Sequence, residues 1–169
     1  MGLIFVDCEA WGGCPATGQL TEFGAVSYET MQTFHGVLVN AAPSIENSAI
    51  PMAGRRLQDI EMTPVFEDFN DWLLKQKGQV PGSGGSLLFI SDNPAFDWQW
   101  INDGFYRTLG YNPFGHSARR IGDYYAGLVG DFRAASKWKK LRITKHTHHP
   151  VDDAMGNVEA FRRMQNGER

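Results

Sequence analysis

The residues best suited to chemistry fall in three clusters. The first is Asp7-Cys8-Glu9. Side chains alternate along a strand, so Asp7 and Glu9 share one face and Cys8 takes the other. Two carboxylates this close repel each other unless a cation lies between them. Hard divalent ions such as Mg²⁺ take oxygen ligands from a few carboxylates and water. A solvated strand end carries the same spacing, so this pair alone leaves both readings open. The second cluster runs from Ser91 to Asp97. Asp92 or Asn93 is placed to cap a helix opening at Pro94. Asp97 lies one turn in, as a surface acid or as a ligand. The third cluster runs from His148 to Ala154. Asp152 suits the cap or first turn of a helix, and the histidines read as an exposed basic loop or as chemistry.

The elements around these clusters decide where they meet. Leu3 to Cys8 is an apolar run that predicts a mostly buried strand. After a Gly-rich loop, Glu22 to Tyr28 and Thr33 to Val39 predict two more strands, close enough for an antiparallel meander. Ala41 to Glu61 is polar and reads as irregular. Thr63-Pro64 resembles a helix start, with Pro at the first position. Val65, Phe69, Trp72 and Leu73 then share a helical face. Gly78 to Ser86 reads as a flexible loop, and Leu87 to Ser91 as a fourth strand parallel to the first. A helix from Asn93-Pro94 carries Trp98, Ile101, Phe105 and Leu109 on its apolar face. Ile121 to Val129, the basic Arg133 to Leu141 and Val151 to Met164 predict three further helices. A fifth strand is poorly marked, and a short one near Ala118 to Ile121 is the candidate. Mixed sheet and flanking helices make this an α/β fold. Each cluster then sits at a strand's C-terminal end or a helix start, where open α/β sheets gather their sites.

Composition narrows the class. The 169 residues are 42% hydrophobic and 21% charged, values of a globular chain and of one domain spanning residues 1–169. No apolar run reaches membrane-spanning length, so no membrane partner is expected. The N-terminus lacks a basic region ahead of its apolar stretch, so no signal peptide is expected. Two cysteines form no disulfide framework and no zinc spacing, which suggests the cytoplasm. The net charge of −3 hides a division. Residues 1–132 hold 7 Lys/Arg and 15 Asp/Glu; residues 133–169 hold 9 and 4. From 132 to 151 there is no acid, only basic residues and His146, His148 and His149 among the charged and titratable ones. A basic segment in an acidic chain suits a polyanion approaching a cation-binding site.

Taken in order, these stretches resemble the DEDDh 3′–5′ exonucleases, the family of RNase T, oligoribonuclease and the polymerase III proofreading subunit. The matching segments are Phe5 to Glu9, Thr21 to Val26, Asn93 to Asp97, and His148 with Asp153-Ala154. Asp7 and Glu9 match the first motif, Asp97 the second, and His148 followed five residues later by Asp153 the third. The likeness spans residues 4 to 160. The chain departs from many members by having Asp92 where they carry His before Asn, and Ala10-Trp11-Gly12 where some carry Thr-Gly. His149 occupies the slot that is Tyr in a sister group.

The resemblance implies a ribonuclease H-like fold, with a mixed five-stranded sheet flanked by helices on both sides. It implies two Mg²⁺ or Mn²⁺ ions held by Asp7, Glu9, Asp97 and Asp153, with Asp7 shared between them. It implies His148 as the general base for the attacking water, work that suits a side chain titrating near neutrality. The expected reaction releases 5′-mononucleotides from single-stranded 3′ ends, with RNA the expected substrate. A DNA exonuclease of the proofreading type and a nucleic-acid-binding module without catalysis are the alternatives. Trp11, with Ala10 and Gly12, is expected to meet the terminal base, as a stacking ring or as a buried loop anchor. Lys145, Arg142 and the segment from Arg133 are expected to follow the phosphates, unless Ala134, Trp138 and Leu141 make that segment a packing face. Arg55-Arg56 and Arg119-Arg120 are further phosphate candidates. RNase T and oligoribonuclease are homodimers, so a homodimer is the oligomer the resemblance suggests.

Overall fold

Alternation along the first strand determines which face each helix covers. In the computed structural model, which describes residues 1–38, 57–79 and 85–169 (backbone only over 57–60), β1 spans Gly2–Trp11. Ile4, Val6 and Cys8 point into one core; Phe5 points into the other. β2 (Gln19–Ser27) and β3 (Thr33–Val37) complete the antiparallel meander. β4 (Leu87–Ser91) pairs parallel with β1, and β5 (Ala118–Arg120) pairs parallel with β4. The sheet order is β3-β2-β1-β4-β5. It is the expected mixed five-stranded sheet, and β1 lies at its centre with neighbours on both sides.

One face is covered by α1 (Leu57–Gly78) and α2 (Pro94–Thr108). Phe66, Phe69 and Leu73 of α1 and Trp100, Ile101 and Phe105 of α2 are buried there. The other face is covered by α3 (Ile121–Val129), α4 (Pro150–Gln165) and two short 3-10 turns, Phe132–Ala134 and Lys137–Leu141. Val158 and Met164 of α4, Ile121 of α3 and Trp138 fill that core. Gly24 sets how close α4 comes. A Cβ there would stand 2.4 Å from the backbone of Pro150 and Val151, so the start of α4 lies directly against β2.

Three boundaries differ from the sequence reading. α1 begins at Leu57, so Pro64 lies inside it. Met62 is buried and extends the stripe of Phe66, Phe69 and Leu73, so core contact carries the helix back past the proline signal. The basic stretch 133–141 forms 3-10 turns instead of a helix. Ala134, Trp138 and Leu141 are buried, which makes it chiefly a packing segment. Neither Asn93 nor Asp92 caps α2 through its side chain. Asp92 pairs with Lys139 at 2.6 Å. Val39, Arg55-Arg56 and most of the loop from Gly78 lie outside the described residues. No helix among the described residues is long and apolar enough to cross a membrane.

Candidate active site

The two faces of β1 have different partners at its C-terminal end. Asp7 and Glu9 continue the face of Phe5, toward α4. Cys8 goes to the opposite core, where burial pushes its thiol well above the ordinary range, so it is an inert packing residue. A bulge in β2 opposite Glu9 and Ala10 shifts the register there. The Thr21 hydroxyl donates to the Glu9 carbonyl at 2.8 Å and closes that irregularity. Bulges near strand ends re-aim side chains.

Asp97 enters from the first turn of α2. Its Oδ1 accepts from the Cys8 backbone N–H at 3.1 Å, tying the helix start to the middle of the first motif. Asp153 enters from the first turn of α4 and is fully buried. Its two oxygens accept from the backbone N–H groups of Thr147 and His148, each at 3.1 Å. Ligand oxygens of Asp7, Glu9 and Asp153 lie within 4.8 Å of one another. Asp97 stands outside that triplet, though close enough for its charge to raise Asp7.

The electrostatics fit a missing positive charge. Burial pushes Asp7 up to about 8, and Asp97, Asp153 and Glu9 add to the rise. Burial pushes Asp97 up to about 7. Glu9 is also raised, by burial first, while His148 opposes the rise. Acids packed like this hold protons at neutral pH unless a cation replaces them. An all-oxygen donor set with mutually repelling charges fits a hard divalent ion.

His148 sits at the rim, exposed, with Nδ1 3.6 Å from Glu9 Oε1. Its backbone has φ +61°, the left-handed region that non-glycine residues adopt rarely. Two hydrogen bonds to Asp153 hold this turn, one from its own N–H and one from Thr147. His146 was not singled out as a site residue from sequence. Its Nδ1 lies 2.6 Å from Asp153 Oδ2, and its ring is 4.3 Å from that of His148. The His-Thr-His spacing was the available signal.

The expected substrate residues divide. Trp11 is half exposed at the end of β1, so it is not a buried anchor. Gly12 follows at φ +85°, and Ala10 packs against the core. Lys145 is exposed beside the histidines. Arg142 is not an exposed phosphate contact. Its side chain is buried, 3.8 Å from Asp153 Oδ1, and hydrogen-bonded to Asn157. Stacking on Trp138 completes its surroundings. An arginine so placed supports the acid from behind. Arg120 is also engaged, donating to the Asp92 carbonyl.

No protein-family model matches the chain. It is 26% identical over 170 residues to an Escherichia coli protein, the 3′-5′ DNA exonuclease Cap18, covering 94% of this chain and 89% of that one. Among solved structures it is similar to the nuclease domain of 3′hExo, a DEDDh family member bound to rAMP. The TM-score is 0.66 at 19% identity, over 98% of this chain and 92% of that one. Cell-death related nuclease 4 (CRN-4) gives 0.66 at 15% identity, covering 98% and 64%. The zinc-bound form of E. coli ExoI in complex with single-stranded DNA gives 0.54 at 17% identity, covering 97% and 39%. The fold is therefore the ribonuclease H-like fold of DEDDh nuclease domains.

Proposed function

From this fold and this site we propose a metal-dependent 3′–5′ exonuclease of the DEDDh type, releasing 5′-mononucleotides from single-stranded 3′ ends. The observation that carries it is the convergence of ligand oxygens of Asp7, Glu9 and Asp153 within 4.8 Å, with Asp97 bonded to the Cys8 N–H between the first two and His148 at the rim. Asp7, Glu9, Asp97 and Asp153 would hold two Mg²⁺ or Mn²⁺ ions. Such ions, when bound, supply the positive charge that stabilises both the attacking and the leaving oxygen of phosphoryl displacement.

The chain's own groups supply position and proton transfer. Hydrogen bonds hold two of the carboxylates in place, Asp97 to Cys8 and Asp153 to the turn before α4. His148 takes the proton of the attacking water, with its exposed ring free to follow an arriving 3′ end. Trp11 stacks on the terminal base, and Lys145 meets a phosphate from the other side. The protein would work in the cytoplasm, as a single domain and as a homodimer.

RNA is the first substrate to test, a reading supported by the rAMP bound to 3′hExo. DNA is the second, favoured by the name of the Cap18 relative. Matched 5′-labelled RNA and DNA oligomers are incubated with the protein and Mg²⁺ or Mn²⁺, beside Asp7→Asn. The expected result is a ladder shortening from the 3′ end, absent in the variant. No shortening of either strand, or equal activity in the variant, overturns the proposal. The ratio of the two rates assigns the substrate.

A further inference from the structure

His146 has no part in the proposed chemistry, yet it is the nitrogen donor closest to a buried carboxylate of the site. His146, His148 and Asp153 offer three ligand atoms within 4.8 Å of one another. The arrangement is built. Asp153 accepts both backbone N–H groups of the turn, at 3.1 Å each. His148 has a left-handed backbone, and its ring lies 4.3 Å from that of His146. His146 already reaches Asp153 at 2.6 Å. Ligand atoms around a tetrahedral zinc stand about 3.4 Å apart, given bonds near 2.1 Å. The His146–Asp153 pair must widen by about 0.8 Å, and both imidazoles are exposed, so small rotations set the spacing.

Ligand type separates this set from the acids beside it. Three carboxylates suit Mg²⁺ or Mn²⁺, whereas two imidazoles and one carboxylate suit zinc and similar borderline ions. Two histidines and an acid with an open fourth position form a common zinc geometry. Glu9, 3.6 Å from His148 Nδ1, is the nearest acid to that open side.

We propose that His146, His148 and Asp153 bind zinc, and that zinc held there blocks the nuclease site. Zinc removes Asp153 from the carboxylate set and occupies the nitrogen lone pair that His148 needs as a base. The binding site stands by its own geometry; the blockade rests on the exonuclease reading.

The test is calorimetric titration of Zn²⁺ into the protein in excess Mg²⁺, with His146→Ala and His148→Gln beside it. One zinc per chain is expected, with affinity lowered on the order of tenfold or more in each variant. Co²⁺ in place of zinc should give visible absorption bands that weaken in both. Thermal unfolding of the variants checks that they fold. Equal zinc affinity and equal Co²⁺ spectra in the protein and His146→Ala overturn the site. For the blockade, zinc inhibition of nucleotide release is compared with each protein's own Mg²⁺ rate. The half-inhibiting concentration should rise about tenfold in His146→Ala; an unchanged value overturns the blockade. A chain without nuclease activity that still binds zinc through His146 keeps the site and sinks only the exonuclease reading.

Discussion

Asp7 and Asp97 belong to the frame of the molecule, whereas His146, His148 and Lys145 belong to its rim. The frame residues ride on the central strand and on the first turn of a packed helix, and burial raises both acids. The rim residues ride on a segment without regular structure and are exposed. Asp153 joins the two, buried in α4 yet bonded to the rim's backbone. The split gives each region a separate task. The frame stores unfavourable charge that a cation relieves, and the rim supplies groups that must move with a substrate.

The largest effect should come from the frame. Asp7→Asn removes the shared carboxylate and should abolish nucleotide release under any metal. The same change should stabilise the metal-free protein, because burial raises the Asp7 carboxyl to about 8 from an ordinary value of 3.8. Between those values the folded chain binds more protons than the unfolded one. This contribution is therefore fully present below the unfolded value and is lost as pH rises through 8. Thermal unfolding of the metal-free protein should fall from pH 4 to pH 8, with a flatter profile in Asp7→Asn. Mn²⁺ should restore stability at pH 8 in the parent protein. A profile that rises with pH in the parent contradicts the stored-charge account.

His148→Ala tests the rim. It should lower kcat by roughly 10²–10⁴, the usual contribution of a positioned base, with Mn²⁺ affinity close to that of the parent. A large loss of metal affinity would erase the division between frame and rim. Trp11→Ala probes the rim without touching the acids. It should weaken single-strand binding by about 1–3 kcal/mol, read as a higher KM at nearly constant kcat. An unchanged KM would remove the ring from the substrate path.

The frame was the more legible region. Alternation in β1 separates Asp7 and Glu9 from Cys8 without any tertiary knowledge, and parallel pairing of β4 follows from the helix before it. β5 is three residues long, with only Ala118 partly buried against the core, so it is poorly marked in the sequence and its place came from the fold that the resemblance implies. What escaped was decided by tertiary contact. Pro64 looked like a helix start because nothing local shows that Met62 is buried. Arg142 looked like a phosphate ligand because charge in a sequence carries no sign of burial. His146 and His148 differ little as letters. Only the turn before α4 shows that the first reaches Asp153 and the second faces Glu9.

The link between the regions can itself be loosened. Glu159, two turns into α4, accepts from the Thr144 N–H at 2.7 Å, from the Ile143 N–H at 3.2 Å and from the Thr144 hydroxyl at 3.0 Å. These bonds hold the chain just before Lys145 and His146. Glu159→Gln keeps the shape but removes the charge, and one amide oxygen replaces two acceptors. Hydrogen bonds to a charged group contribute about 1.5–3 kcal/mol, and neutral ones about 1. The expected loss is therefore about 1 kcal/mol of stability, with a severalfold fall in kcat and little change in Mn²⁺ affinity. The acids keep their places because Asp7 and Asp97 do not touch this brace. If metal affinity falls as far as kcat, the rim is part of the frame, and the two regions act as one rigid unit.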